Sequence, residues 1–257
     1  MRGALRLFAV AGAGLFGVVG VAAAEPPPER EWDLGIGAYG WLTAAELYVE
    51  GSNRFTGDSF SRNFHKDLSD AFEDADGGGG GYVDFRWRRF VGLVDAAWVQ
   101  SDYNGDGWQT STLVDAKVGY RVLDVERPFS NATGLDAPRL HLDLMVGGRF
   151  HNSDANVDDV RGKPLDYDQH RDWINPVVGL RWRTELVRNL TLGAVFDIGG
   201  FDIGNASHLT YSLNPRLNYR AWDHLDLFIG WRRLVDEHDG EREVGLNGPQ
   251  AGLGYSF

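Results

Sequence analysis

From Leu209 to Arg220 the chain sorts its residues by parity. Leu209, Tyr211, Leu213, Pro215, Leu217 and Tyr219 take one face, and Thr210, Ser212, Asn214, Arg216, Asn218 and Arg220 the other. A helix, turning about one hundred degrees per residue, would mix these sets, so the segment is predicted as a strand. Arg139 to His151 repeats the pattern, with Leu140, Leu142, Leu144, Val146 and Phe150 opposing His141, Asp143, Met145, Gly147, Arg149 and His151. Weaker alternation predicts strands over 114–122, 174–183, 190–199 and 225–232, and over 32–42, 80–87 and 90–102 in the first half. A membrane-crossing strand needs about 9–11 residues, and these segments approach that length. With residues 248–257 they amount to roughly ten antiparallel strands, an even number as closed bacterial barrels have. Eight is the alternative, because 80–87 is short.

The intervals carry the rest of the plan. Short turns are predicted at Arg88-Arg89, 187–189 and 221–223, and acid-rich external loops at 154–172 and 236–245. In 58–76, Phe60, Phe64, Leu68 and Phe72 recur at helical spacing before the run Gly77–Gly81. This predicts a short amphipathic helix in the first external loop, with an extension of the neighbouring hairpin as the alternative. Such a helix would narrow the external mouth of a barrel.

The two ends of the chain change the picture most. Arg2 and Arg6, an apolar run from Leu7 to Val21 and Ala22-Ala23-Ala24 have the layout of a secretory signal peptide cleaved after Ala24. That divides the chain into a leader, 1–24, and one barrel domain, 25–257. At the other end Pro249, Ala251, Leu253, Tyr255 and Phe257 alternate with Gly248, Gln250, Gly252, Gly254 and Ser256, and the chain stops on the aromatic.

Composition fits this reading. The net charge is −12; without the leader, 23 basic residues face 37 acidic ones, a net −14. Such a chain lacks the basic stripe that nucleic acid requires. Its 34 glycines and 32 aromatic residues (9 Trp, 9 Tyr, 14 Phe) suit twisted strands with aromatic belts. With no cysteine, disulfides and lipid-modified thiols are excluded.

The segment Trp173-Ile174-Asn175-Pro176-Val177-Val178-Gly179-Leu180-Arg181-Trp182 and the ending Gly248 to Phe257 resemble a broad group of largely uncharacterised proteobacterial outer-membrane β-barrel proteins, similar in build to the barrel of OmpA-type proteins. The resemblance implies a closed up-and-down transmembrane barrel in the outer membrane of a Gram-negative bacterium. It also implies outer-membrane lipids and lipopolysaccharide as surroundings, and Tyr255 and Phe257 as a signal to the barrel-assembly machinery. It fixes no activity, and the oligomeric state is left open.

The inward parity collects charges of both signs: Asp84, Asp95, Asp115, Lys117, Arg121, His141, Asp143, Arg149, Arg181, Arg183, Asp197, Arg216, Arg220, Asp226 and Arg232. Small barrels fill with side chains, and buried charges must be paired. A closed, ion-paired lumen is therefore expected, with an ion-selective narrow pore as the alternative. No cofactor is expected. Asp102, Asn104 and Asp106 match the first half of a calcium loop, but Leu113 stands where the bidentate Glu belongs, so a hairpin turn is the preferred reading over a Ca2+ site. The acids at 154–172 would suit divalent cations bridging lipopolysaccharide phosphates, or plain solvation. For catalysis, Ser207-His208 with Thr210, and Asp166-x-Asp168-x-His170, offer hydroxyl, acid and imidazole without a surrounding motif. A lipid- or peptide-hydrolysing barrel enzyme is thus the alternative to a non-enzymatic envelope protein.

Overall fold

A computed structural model describes residues 31–52, 59–73, 77–102, 107–126, 139–159, 164–187, 189–238 and 242–257. Residues 1–24, expected to be a leader, and Asn104 and Asp106 of the calcium-like stretch lie outside the described residues. The elements are β1 (Trp32–Leu42), β2 (Ala44–Ser52), β3 (Ser59–Lys66), α1 (Leu68–Glu73), β4 (Gly77–Trp87), β5 (Phe90–Asp102), β6 (Gly107–Glu126), β7 (Arg139–Asp159), β8 (Pro164–Val187), β9 (Leu190–Gly200), β10 (Leu209–Trp222), β11 (Leu225–His238) and β12 (Arg242–Ser256).

Ten strands, β1 and β4 to β12, close an antiparallel barrel. Each pairs with its neighbour in the chain, and β12 returns to β1 from Gly35↔Ser256 to Trp41↔Gln250. The hydrophobic pattern sets the register, because a one-residue slip would turn each apolar face into the lumen. Beyond Thr43 the first strand continues as β2, still on β12, and β3 folds back on β2 outside the closed ring.

The short helix expected within 58–76 is present but shorter, and the hairpin extension takes the first half of that stretch. Phe60 and Phe64 lie in β3, and only Leu68–Glu73 is helical, packed against β1. Apolar residues four apart satisfy period 2 as well as period 3.6, and eight backbone partners on β2 decide for the strand.

A second correction concerns the acidic loops. Apart from 160–163, the stretch 154–172 is strand, because β7 and β8 stay paired up to Asp159↔Pro164. The same holds for 236–245 outside 239–241, where β11 and β12 pair up to His238↔Arg242. β6, β7 and β8 run 20, 21 and 24 residues, about twice what a bilayer requires. Their upper halves therefore project beyond it. Because β8 pairs with β9 only from Val177 onward, the strand pairing of its upper half is with β7 alone.

The outer wall is apolar at mid-height, with Val94, Val118, Val146, Val178 and Ile229 exposed. Around the end that carries Trp32 and Phe257 runs a belt of Trp32, Trp87, Phe90, Tyr120, Tyr219 and Tyr255. Trp87 stacks on Phe90 at 6.0 Å, and Phe90 meets Tyr120 edge-on at 5.6 Å. A band of aliphatic residues ended by aromatic rings is the outer surface that a bilayer demands. At this end Arg88-Arg89 and Asp223-His224 form two-residue turns.

Inside, β4 brings Gly77–Gly81 past the large side chains of β1. A Cβ at Gly78 would overlap the Trp98 carbonyl, so only glycine lets β4 approach β5 this closely.

Candidate functional site

The lumen is the only interior that a barrel owns, and here it is filled in layers. The middle layer joins strands from opposite sides. Lys117 on β6 donates to Asp197 on β9. Arg149 on β7 donates from Nε to Asp115 Oδ1 at 2.8 Å, from Nη2 to Asp197 Oδ1 at 2.7 Å, and from Nη1 to the Thr210 hydroxyl at 3.0 Å. Arg232 on β11 reaches Asp95 Oδ1 at 2.7 Å, Asp115 Oδ2 at 3.2 Å and the Tyr39 hydroxyl at 3.0 Å. Three carboxylates (Asp95, Asp115, Asp197) thus face three cations (Lys117, Arg149, Arg232), and the layer is neutral. Arg149 and Asp197 are 0% exposed.

Toward the end that holds the termini, a second layer runs from Arg121 through Asp143 to Arg181, with Nε–carboxylate distances of 2.9 and 2.8 Å. Arg181 continues to Asp84, which also accepts from Arg183 at 2.8 Å. Arg216 sits between the layers, its guanidinium 5.4, 5.2 and 4.7 Å from the rings of Tyr39, Tyr82 and Phe228. Three aromatic faces and Asp95 at 3.8 Å hold that cation. Arg220 and Asp226 pair at 3.1 Å in the more open mouth at this end.

Toward the far end part of the lumen is apolar, against the expectation of inward faces that are mostly charged, and buried Gln109, Ser111 and Ser153 lie on the same side. Trp41, Val99, Leu113, Leu234 and Leu246 point inward and are at most 2% exposed. They form an apolar layer above the ion pairs. Beside it Asp236 gathers three partners that sequence reasoning missed: His151 Nδ1 at 2.8 Å, Asn175 Nδ2 at 2.8 Å and Ser207 Oγ at 2.6 Å. The 201–208 connection supplies Ser207 by folding back into the mouth, with Phe201 N–H on the His208 carbonyl and Asp202 N–H on that of Ser207. The parity of Asn175, His151 and Asp236 was readable; the inward fold of the connection was not.

The remaining candidates are dispersed. Ser207 and Thr210 are buried, while His208 is exposed and paired with Asp202 at 2.8 Å, so the neighbouring hydroxyl and imidazole diverge. Ser207 donates to a carboxylate and not to an imidazole, which is not the nucleophile–base contact that acyl transfer uses. His170 contacts Asp154 across the β7–β8 hairpin, and the side chains of Asp166 and Asp168 lie outside the described residues. Asp102 ends β5, where Lys66 donates to its carbonyl at 2.8 Å. Among the described residues no three His, Asp or Glu side chains converge as metal ligands would. At the closing strand, Phe257 N–H donates to the Leu34 carbonyl at 2.9 Å, and its ring meets Tyr255 edge-on at 4.9 Å.

Fold and filled lumen together define a ten-stranded barrel of the outer-membrane type. Among solved structures, the outer membrane protease OmpT from Escherichia coli superposes with a TM-score of 0.50 at 11% identity, over 88% of this chain and 97% of that one. The translocator domain of the autotransporter NalP from Neisseria meningitidis gives 0.36 at 11% identity, over 87% and 88%. Ail, the attachment invasion locus protein of Yersinia pestis, gives 0.33 at 11%, over 89% and 100%. At such identities the likeness to OmpT is one of fold. No protein-family model matches the chain, and no curated protein matches it in sequence.

Proposed function

We propose that this chain is a non-enzymatic structural protein of the Gram-negative outer membrane, with a closed lumen, its termini in the periplasm and its long hairpins outside. The observation that carries this reading is the pair of stacked layers in the lumen. Between the two mouths an ion meets an ion-paired charge layer and, on its far side, an apolar layer formed by Trp41, Val99, Leu113, Leu234 and Leu246. Crossing both layers would force the ion to exchange its water for side chains already packed and paired with one another, a cost of several kcal/mol or more. Ser207 Oγ is bound to Asp236 and the His208 ring to Asp202, which supports the non-enzymatic part.

Reconstituted vesicles test it. With the barrel inserted, swelling in small sugars is expected to match that of protein-free vesicles, and incubation with lipopolysaccharide or a peptide library is expected to give no product. Swelling above the blank refutes the closed lumen, and turnover lost on His208→Ala or His170→Ala refutes the non-enzymatic assignment.

A further inference from the structure

Two prolines interrupt the barrel wall at one height, on either side of Trp231. The β10–β11 register reaches Leu213↔Arg233 and resumes at Arg216↔Gly230, skipping Pro215 opposite Trp231. Trp231 pairs on its other side with Pro249. There the register of β12 passes from Asn247↔Ala44 to Trp41↔Gln250, skipping Pro249. Proline brings no N–H to a ladder, and inside a closed wall each one leaves a gap.

The outer surface sinks along these gaps into a groove of about 760 Å³, within the roughly 300–1,000 Å³ of small-ligand sites. Its lipid-facing lining is Leu42, Leu217, Ile229 and Trp231 with the two prolines. Gly40 lies in the same lining, and a Cβ there would meet nothing within 4 Å. Behind the groove the wall stays sealed by Arg216, Asn214 and Gln250, which contact one another inside.

Arg233 stands two residues beyond Trp231 on the same outward parity, toward the far end. It is half-buried and makes no hydrogen bond or ion pair among the described residues. The Trp231 indole N–H donates to Asn247 Oδ1 at 2.6 Å, which fixes the ring beneath it. An apolar groove inside the hydrocarbon band, headed by an interfacial tryptophan and a guanidinium with no partner among the described residues, complements an anionic lipid.

We propose that this face binds one molecule of lipopolysaccharide, with an acyl chain of its lipid A in the groove and a lipid A phosphate on Arg233. The assignment rests on the far end facing outward, as proposed above. The mature barrel in detergent, titrated with lipid A and separately with phosphatidylethanolamine, reports bound lipid by native mass spectrometry. One lipid A per barrel is expected, with phosphatidylethanolamine retained more weakly. Arg233→Gln is expected to weaken lipid A binding about tenfold, the usual worth of one charge-assisted contact. Gly40→Phe fills the groove and is expected to weaken it as much, while both variants keep heat-modifiable migration. Undiminished binding by either folded variant, or equal retention of the two lipids by the unaltered barrel, overturns the proposal. The measurement needs neither a closed lumen nor a bilayer, so an open pore would appear as conductance with the lipid count unchanged.

Discussion

Arg149→Met is expected to lower the unfolding free energy of the barrel by about 3–5 kcal/mol, the usual cost of breaking a buried ion pair from one side. Arg149 is 0% exposed and bonds Asp115, Asp197 and Thr210 at once. Without it Asp197 keeps Lys117 alone and Asp115 shares Lys117 and Arg232, the latter already on Asp95, so buried carboxylate charge is left under-compensated. Adding Asp197→Asn restores neutrality and is expected to recover much of the loss, because the remaining Asp95 and Asp115 then balance Lys117 and Arg232. Denaturant unfolding in detergent, followed by gel mobility with and without heating, measures both. A single variant as stable as the parent would mean that the layer is hydrated and not packed.

Deleting Phe257 is expected to remove most assembled barrel from cells while changing the refolded barrel little. In the folded state the residue contributes one backbone hydrogen bond to Leu34 and an edge-on ring contact with Tyr255, together about 1–2 kcal/mol. Such a loss alters abundance only several-fold. A much larger fall in heat-modifiable protein, with near-parental stability after refolding in vitro, would locate the effect in recognition by the barrel-assembly machinery. Equal losses in cells and in vitro would reduce Phe257 to an ordinary packing residue.

The sequence disclosed strands wherever a lipid-facing side exists. β1 and β5 were readable to the residue, because Ile36 and Val94 on one parity oppose Tyr39 and Asp95 on the other. Where β7 and β8 leave the bilayer, Asn152, Asp154 and Asp172 make the outward parity polar too. The alternation then disappears and the hairpin looks like a loop. Phe60 and Phe64 misled for a related reason: two apolar residues four apart do not separate strand from helix.

In the lumen, parity identified Arg149, Asp197 and Arg232 as inward, but not that they meet. Which residues share a layer depends on strand stagger, and that is set by the whole closed ring. The apolar layer escaped notice because Leu113, Leu234 and Leu246 look like lapses in a polar face until five strands bring such lapses together. The Ser207–Asp236 contact depended on a connection with positive φ at Phe201 and Asp202, which no local pattern announces.

Single-channel recording in a planar bilayer tests the closed lumen most directly. The purified barrel is expected to insert without current steps at neutral pH in either polarity, because the ion-paired and apolar layers leave no hydrated path. Reproducible, ion-selective steps from the unaltered protein would contradict the account and make the charged lumen a pore.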